Sequence, residues 1–161
     1  MSYFVIIRGP LGVGKTTISK ELAEQINGEY LSIDQVLADN GLDKIDDPDA
    51  AFPLENFIKA NDIVLNQIQN YGKDKSVVID GNFYYKDVLM DLEQKLNFPK
   101  IFTLKCPVEI CIERDSKRVN SYGRDTVEYI HSEVSKFDYG INIDASKETP
   151  KEIVADIQKK L

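Results

Sequence analysis

The chain has 161 residues, 42% hydrophobic and 29% charged, with 20 Lys and Arg against 27 Asp and Glu for a net charge of −7. That is one domain's worth of sequence, with apolar residues enough to bury roughly 70% of its unfolded surface without a disulfide or metal staple. The acidic balance argues against a non-specific nucleic-acid partner, two cysteines and one histidine nearly exclude a zinc site, and no apolar run reaches the ~18 residues of a membrane span.

Apolar runs alternate with helical patterns along the chain. Residues 3–8 are β-rich and predict a buried strand; they lack the basic leader and length of a secretion signal. Residues 15–27 carry Ile18, Leu22, Ala23 and Ile26 at helical spacing. A second short strand is expected over 29–33. Residues 34–51 are polar and Asp-rich and read as a mobile loop with one helical turn. A long amphipathic helix spans 53–71, with Gly72 as its stop. Residues 76–80 form a strand with little polar alternation, as when both faces are covered. Then come a helix over 86–96, a strand over 100–104 and a helix over 108–119. After a break over 120–124, a helix is expected over 126–138, a last strand over 139–143 and a closing helix over 150–160 with Pro150 in its first turn. Five strands alternating with helices predict an α/β fold, a five-stranded parallel sheet covered on both faces, in a single domain over 1–161.

The strongest local signal is Gly9-Pro10-Leu11-Gly12-Val13-Gly14-Lys15-Thr16, which fits G-x-x-x-x-G-K-[ST] between a predicted strand and a predicted helix. Glycines let successive backbone N–H groups turn onto phosphate oxygens. Lys15 supplies a point charge for the β- and γ-phosphates, the Thr16 hydroxyl a ligand for Mg²⁺, and the helix N-terminus its dipole. The expected nucleotide contacts are Gly9, Leu11, Gly12, Val13, Gly14, Lys15, Thr16 and Thr17, with ATP and Mg²⁺ as cofactors. A guanine-reading Asn-Lys-x-Asp is absent. The other expected metal residue is Asp80, closing the apolar run Val77-Val78-Ile79 before Gly81-Asn82; a turn residue is its plainer reading.

A small chain with this loop near its start resembles the nucleoside-monophosphate-kinase-like group of P-loop kinases. These include shikimate, gluconate and adenylylsulfate kinases, chloramphenicol phosphotransferase and polynucleotide-kinase-type enzymes. The resemblance implies that Asp34, after Ser32-Ile33, accepts the proton of, or orients, an acceptor hydroxyl; capping the helix from Gln35 is the alternative. It implies that Asn82 corresponds to the Asn of Asp-x-x-Asn segments, at shorter spacing. The stretch from Cys106 to Asp115 resembles a pre-lid segment, with a lid over about 115–126. There Arg114 and Arg118, four apart on one helix face, would clamp phosphates and stack on adenine, joined by Arg124. Their plainer readings are an acid pair for Arg114, solvent for Arg118 and a helix flank for Arg124. Ile143-Asp144-Ala145-Ser146 resembles the turn that touches the adenine edge. Cys106, Cys111 and His131 read as packing residues.

The acidic stretch 34–50 holds six Asp against one Lys, whereas 113–124 holds four bases against two acids. The acceptor pocket is expected between Asp34, residues 39–53, the face of 54–60 and Phe83-Tyr84-Tyr85. No paired arginines stand there to grip an acceptor phosphate. The expected function is therefore ATP- and Mg²⁺-dependent phosphoryl transfer to a hydroxyl of a nucleoside, sugar, small alcohol or antibiotic. A regulatory nucleotide-binding NTPase and a polynucleotide 5′-hydroxyl kinase are the alternatives. A cytoplasmic monomer or homodimer is expected, since Cys106 and Cys111 form no redox or zinc spacing.

Overall fold

The computed structural model describes residues 2–44 and 51–161. Five parallel strands, β1 (Phe4–Arg8), β2 (Glu29–Ser32), β3 (Val77–Gly81), β4 (Lys100–Lys105) and β5 (Ile141–Asp144), form one sheet in the order β2-β3-β1-β4-β5. Seven helices are described: α1 (Lys15–Gln25), α2 (Ile33–Asp39), α3 (Leu54–Tyr71), α4 (Lys86–Lys95), α5 (Val108–Ser116), α6 (Arg124–Val134) and α7 (Pro150–Gln158). None is long and apolar enough to cross a membrane.

Side chains on a strand alternate faces, and both faces here are apolar. Val5 and Ile7, Val78, and Phe102 and Leu104 join the cluster under α1 and α7. Ile6, Val77 and Ile79, and Ile101 join the opposite cluster under α2, α3 and α4. That two-sided burial is why the strands read as unbroken apolar runs. Fully buried side chains such as Leu22 and Leu89 each stabilise the fold by roughly 1.5–3 kcal/mol.

The same parity aims the polar strand ends. Asp80 shares its face with Val78 and so meets α1. Arg8 shares its face with Ile6 and is wholly buried. Its guanidinium donates to the carbonyls of Phe83 (3.2 Å), Val134 (2.6 Å) and Phe137 (3.3 Å) and to Thr103 Oγ1 (3.4 Å), and stacks over the Phe137 ring at 4.1 Å. Burial pulls its pKa down to about 10, which leaves it charged at neutral pH.

The expected parallel sheet is present, with corrections at element ends. Part of the expected loop from residue 34 is helix: α2 begins directly after β2, because the Ser32 side chain caps it, Gln35 N donating to Ser32 Oγ at 3.3 Å. The remainder over 45–50 lies outside the described residues. α5 stops at Ser116, short of the expected 119, since Val119 is fully exposed and has nothing to pack on. α6 starts at Arg124 and ends at Val134, four residues early, where Arg8 takes the Val134 carbonyl. β5 is Ile141–Asp144 rather than 139–143: Tyr139 and Gly140 stand before the ladder, and the Tyr139 carbonyl accepts from Thr103 Oγ1 at 2.7 Å.

Candidate functional site: a phosphate loop facing two carboxylates

The loop from Gly9 to Gly14 joins β1 to α1. Gly12 has φ +78° and backs onto the Cys111 carbonyl so closely that any Cβ would collide. Gly14 holds φ +100° as the N-cap of α1 and offers no capping side chain, so the amides of the first turn remain for an anion. Lys15 is 9% exposed, and its Nζ donates to the Pro10 carbonyl at 2.7 Å, lying along the loop. Burial pulls its ammonium below the ordinary lysine value, and Asp34 and Asp80 oppose that pull.

Asp80 is 3% exposed and stands beside Ser32 in the β2–β3 register. Burial pushes its carboxyl above the ordinary range, against the attraction of Lys15 and a hydrogen bond from Tyr30. The Tyr30 hydroxyl donates to Asp80 Oδ2 at 3.0 Å, and burial together with Asp80 pushes Tyr30 up to about 12. Sequence reasoning missed Tyr30. Its contact depends on β2 lying next to β3, which no local pattern announces. Asp34 sits in the first turn of α2, and Ser32 holds the cap, so the capping explanation of Asp34 is removed. The Asp34 side chain is open to solvent yet lies deep between the cleft walls; that desolvation raises its carboxyl and Lys15 lowers it.

On the facing side, Arg114 Nη1 donates to the Val13 carbonyl at 3.2 Å, tying α5 to the loop instead of pairing with a helix acid. Arg118 is exposed, and its guanidinium lies 5.5 Å from the Tyr122 ring centroid. The turn after α5 closes on Asp115, a second residue that sequence reasoning missed. Asp115 is 1% exposed and accepts from Ser121 Oγ (2.6 Å), Tyr122 N (3.1 Å) and Gly123 N (3.1 Å). Burial raises the carboxyl, but these donors and Arg118 together outweigh it and hold the pKa below the ordinary value. Its signal was in the sequence, as an Asp shortly before Ser121 and a Gly, but the partners became visible only when the turn closed.

These groups converge on one cleft of about 1150 Å³. Leu11, Gly12, Gly14, Lys15, Thr16, Thr17, Asp34, Asp80, Arg114 and Arg118 all line it. Gly9 and Val13 do not; Val13 is core and serves through its carbonyl. Arg124 turns away to Glu109 (3.2 Å) and Glu128 (2.8 Å). Asp144 and Ser146 border a separate cavity of about 710 Å³ together with Pro10 and Pro107. His131 Nε2 sits 2.8 Å from the Cys106 carbonyl, and both thiols are buried with raised pKa values, Cys111 to about 12, in keeping with packing roles.

Residues 5–149 match the protein family described as "AAA domain". The chain belongs to this family. This AAA-domain chain is 27% identical to a Thermococcus gammatolerans protein named "Putative adenylate kinase", over 95% of this chain and 82% of that one. It superposes on a gluconokinase from Sinorhizobium meliloti 1021 with a TM-score of 0.69 at 12% identity, covering 96% of this chain and 88% of that one. With shikimate kinase from Acinetobacter baumannii the TM-score is 0.63 at 18% identity, covering 99% and 93%. The AAA-domain chain thus has the fold of the P-loop kinases.

Proposed function

We propose that this chain transfers the γ-phosphoryl group of ATP to a hydroxyl of a small-molecule acceptor, as a single kinase domain over residues 1–161. One observation carries the reading. Asp34, free of the helix cap, shares a cleft with Lys15, Thr16 and Asp80. Lys15 swings from the Pro10 carbonyl onto the β- and γ-phosphates, while the loop amides hold their oxygens. Among the described residues no group of three or more His, Cys, Asp and Glu could bind a metal alone. Thr16 and the buried Asp80 would hold Mg²⁺. The ion would supply neutralisation of phosphate charge.

In this reading Arg118 answers the charge that spreads over the γ-phosphoryl oxygens during transfer, and Arg114 keeps the loop and α5 in register. Residues 115–126 act as a short lid. Asp34 orients the acceptor hydroxyl and takes its proton. An acceptor phosphate would need a fixed cationic fork, and the acceptor half of the cleft presents none among the described residues. This favours a hydroxyl acceptor over the nucleotide acceptor suggested by the name of the Thermococcus relative. The test is to offer the protein labelled ATP, Mg²⁺ and pooled metabolites and to read the phosphorylated product by mass spectrometry. Hydrolysis that no acceptor accelerates would defeat the kinase reading and favour a nucleotide switch.

A further inference from the structure

The cleft has two chemically distinct walls. Among the described residues its lining cations are Lys15, Lys20, Arg114 and Arg118, from α1 and from α5 with the turn after it. The opposite wall, from α2, the entry to α3 and the β3–α4 loop, carries Asp34, Asp39 and Asp43 with Phe52, Phe57 and Tyr84, and no cation. Phe57 and Tyr84 meet edge to face at 5.3 Å, and the Tyr85 hydroxyl donates to the Phe52 carbonyl at 2.9 Å, so this aromatic wall is braced. Asn82 also lines the cleft; its Oδ1 is shut off from solvent and has no hydrogen-bond partner among the described residues. No described residue donates to Asp34, whereas Gln35 Nε2 already donates to Asp39 Oδ1 at 2.6 Å.

This wall presents carboxylates and π faces, and its lining holds no cation. Each of these favours a ligand that brings donors and a cation. Bound ATP adds negative charge to the same cleft and strengthens the preference. An anionic acceptor would face three carboxylates on a wall that carries no cation of its own, Lys15 being the cation that acts on Asp34.

Building on the kinase reading, we propose that the acceptor carries a protonated amine near its reacting hydroxyl, as amino-sugars and amino-alcohols do. The ammonium lies against Asp43 and the aromatic wall, which places the hydroxyl at Asp34. As the hydroxyl oxygen bonds the γ-phosphorus, the bond from that phosphorus to the β-phosphate oxygen breaks. The hydroxyl proton passes to Asp34, ADP leaves, and the amine keeps its charge.

Separating a small-molecule cell extract by charge makes the test independent of the acceptor's name. Cationic, neutral and anionic fractions from ion exchange are each offered to the protein with γ-labelled ATP and Mg²⁺, and ATP binding is measured in parallel. Label should enter the cationic fraction, and acetylating the amines of that fraction should cut transfer at least ten-fold. Asp43→Asn should raise KM for the cationic fraction about ten-fold and leave KM for ATP unchanged. Label entering the neutral or anionic fraction, or transfer that survives acetylation, overturns the amine class. ATP binding with no fraction labelled, or failure to bind ATP, overturns instead the kinase reading beneath it.

Discussion

The Tyr30 hydroxyl donates to Asp80 Oδ2 at 3.0 Å across the adjacent strands β2 and β3. A buried carboxylate that must meet a metal needs its second oxygen held, or it turns away. Groups behind a ligand commonly change metal affinity 10–100-fold. Tyr30→Phe should therefore raise the Mg²⁺ concentration for half-maximal ATP turnover about ten-fold with little change in maximal rate. Superimposable Mg²⁺ titrations for the variant and the parent would show that Tyr30 does not orient the metal carboxylate.

Asp34→Asn separates chemistry from architecture. Ser32 caps α2, so stability should hold, and ATP affinity should hold because the loop is untouched. Phosphoryl transfer should fall by about 10²–10⁴, the range of a positioned base. The low end is expected, since a loose transition state asks little of the base early on. Transfer at the parental rate would remove Asp34 from the chemistry.

Lys15→Ala should abolish tight ATP binding and leave the fold intact. Lys15 Nζ makes one hydrogen bond, to the Pro10 carbonyl, and burial already works against its charge in the free protein. Binding of a fluorescent ATP analogue, read beside a thermal melt, checks both halves.

Asp115 ties the proposed lid to the domain. Asp115→Ala removes the charged acceptor shared by Ser121, Tyr122 and Gly123 and should cost roughly 1–3 kcal/mol. Trypsin should then cut faster at Lys117 or Arg118. The carboxyl sits below its ordinary value of 3.8 in the folded chain, so the folded state binds its proton less readily than the unfolded state. Its stabilisation is complete above the unfolded value and fades as pH falls through the folded one. The stability gap between parent and variant should stay constant above about pH 5 and narrow below about pH 4. Urea melts across that range would show a constant gap if Asp115 were not held this way.

Arg8→Met tests the buried guanidinium. It removes every donor to Phe83, Val134 and Phe137, three carbonyls from the β3–α4 loop and the end of α6. A loss of about 3 kcal/mol is expected from carbonyls left unpaired in the interior. A loss below 1 kcal/mol would mean that water replaces the guanidinium.

The sequence alone determined what repeats or is punctuated. Apolar runs such as Val77-Val78-Ile79 marked strands buried on both faces. Gly12, Gly14 and Lys15 marked the phosphate loop, because side chains other than glycine's rarely adopt the backbone angles that Gly12 and Gly14 hold there. It also placed Asp34 and Asp80 at strand ends, where open parallel sheets put their ligands. It misjudged the Asp-rich segment after β2, because the cap that starts α2 belongs to Ser32, a residue counted with the strand. Tertiary structure decided everything that depends on strand order. The β2-β3-β1-β4-β5 arrangement puts Tyr30 against Asp80, turns Arg8 toward α6, and sets the cations of α1 and α5 opposite the carboxylates and rings of α2 and α3. Local propensity cannot encode such pairings, since the partners lie some fifty to over a hundred residues apart and meet only after helices cover both faces of the sheet.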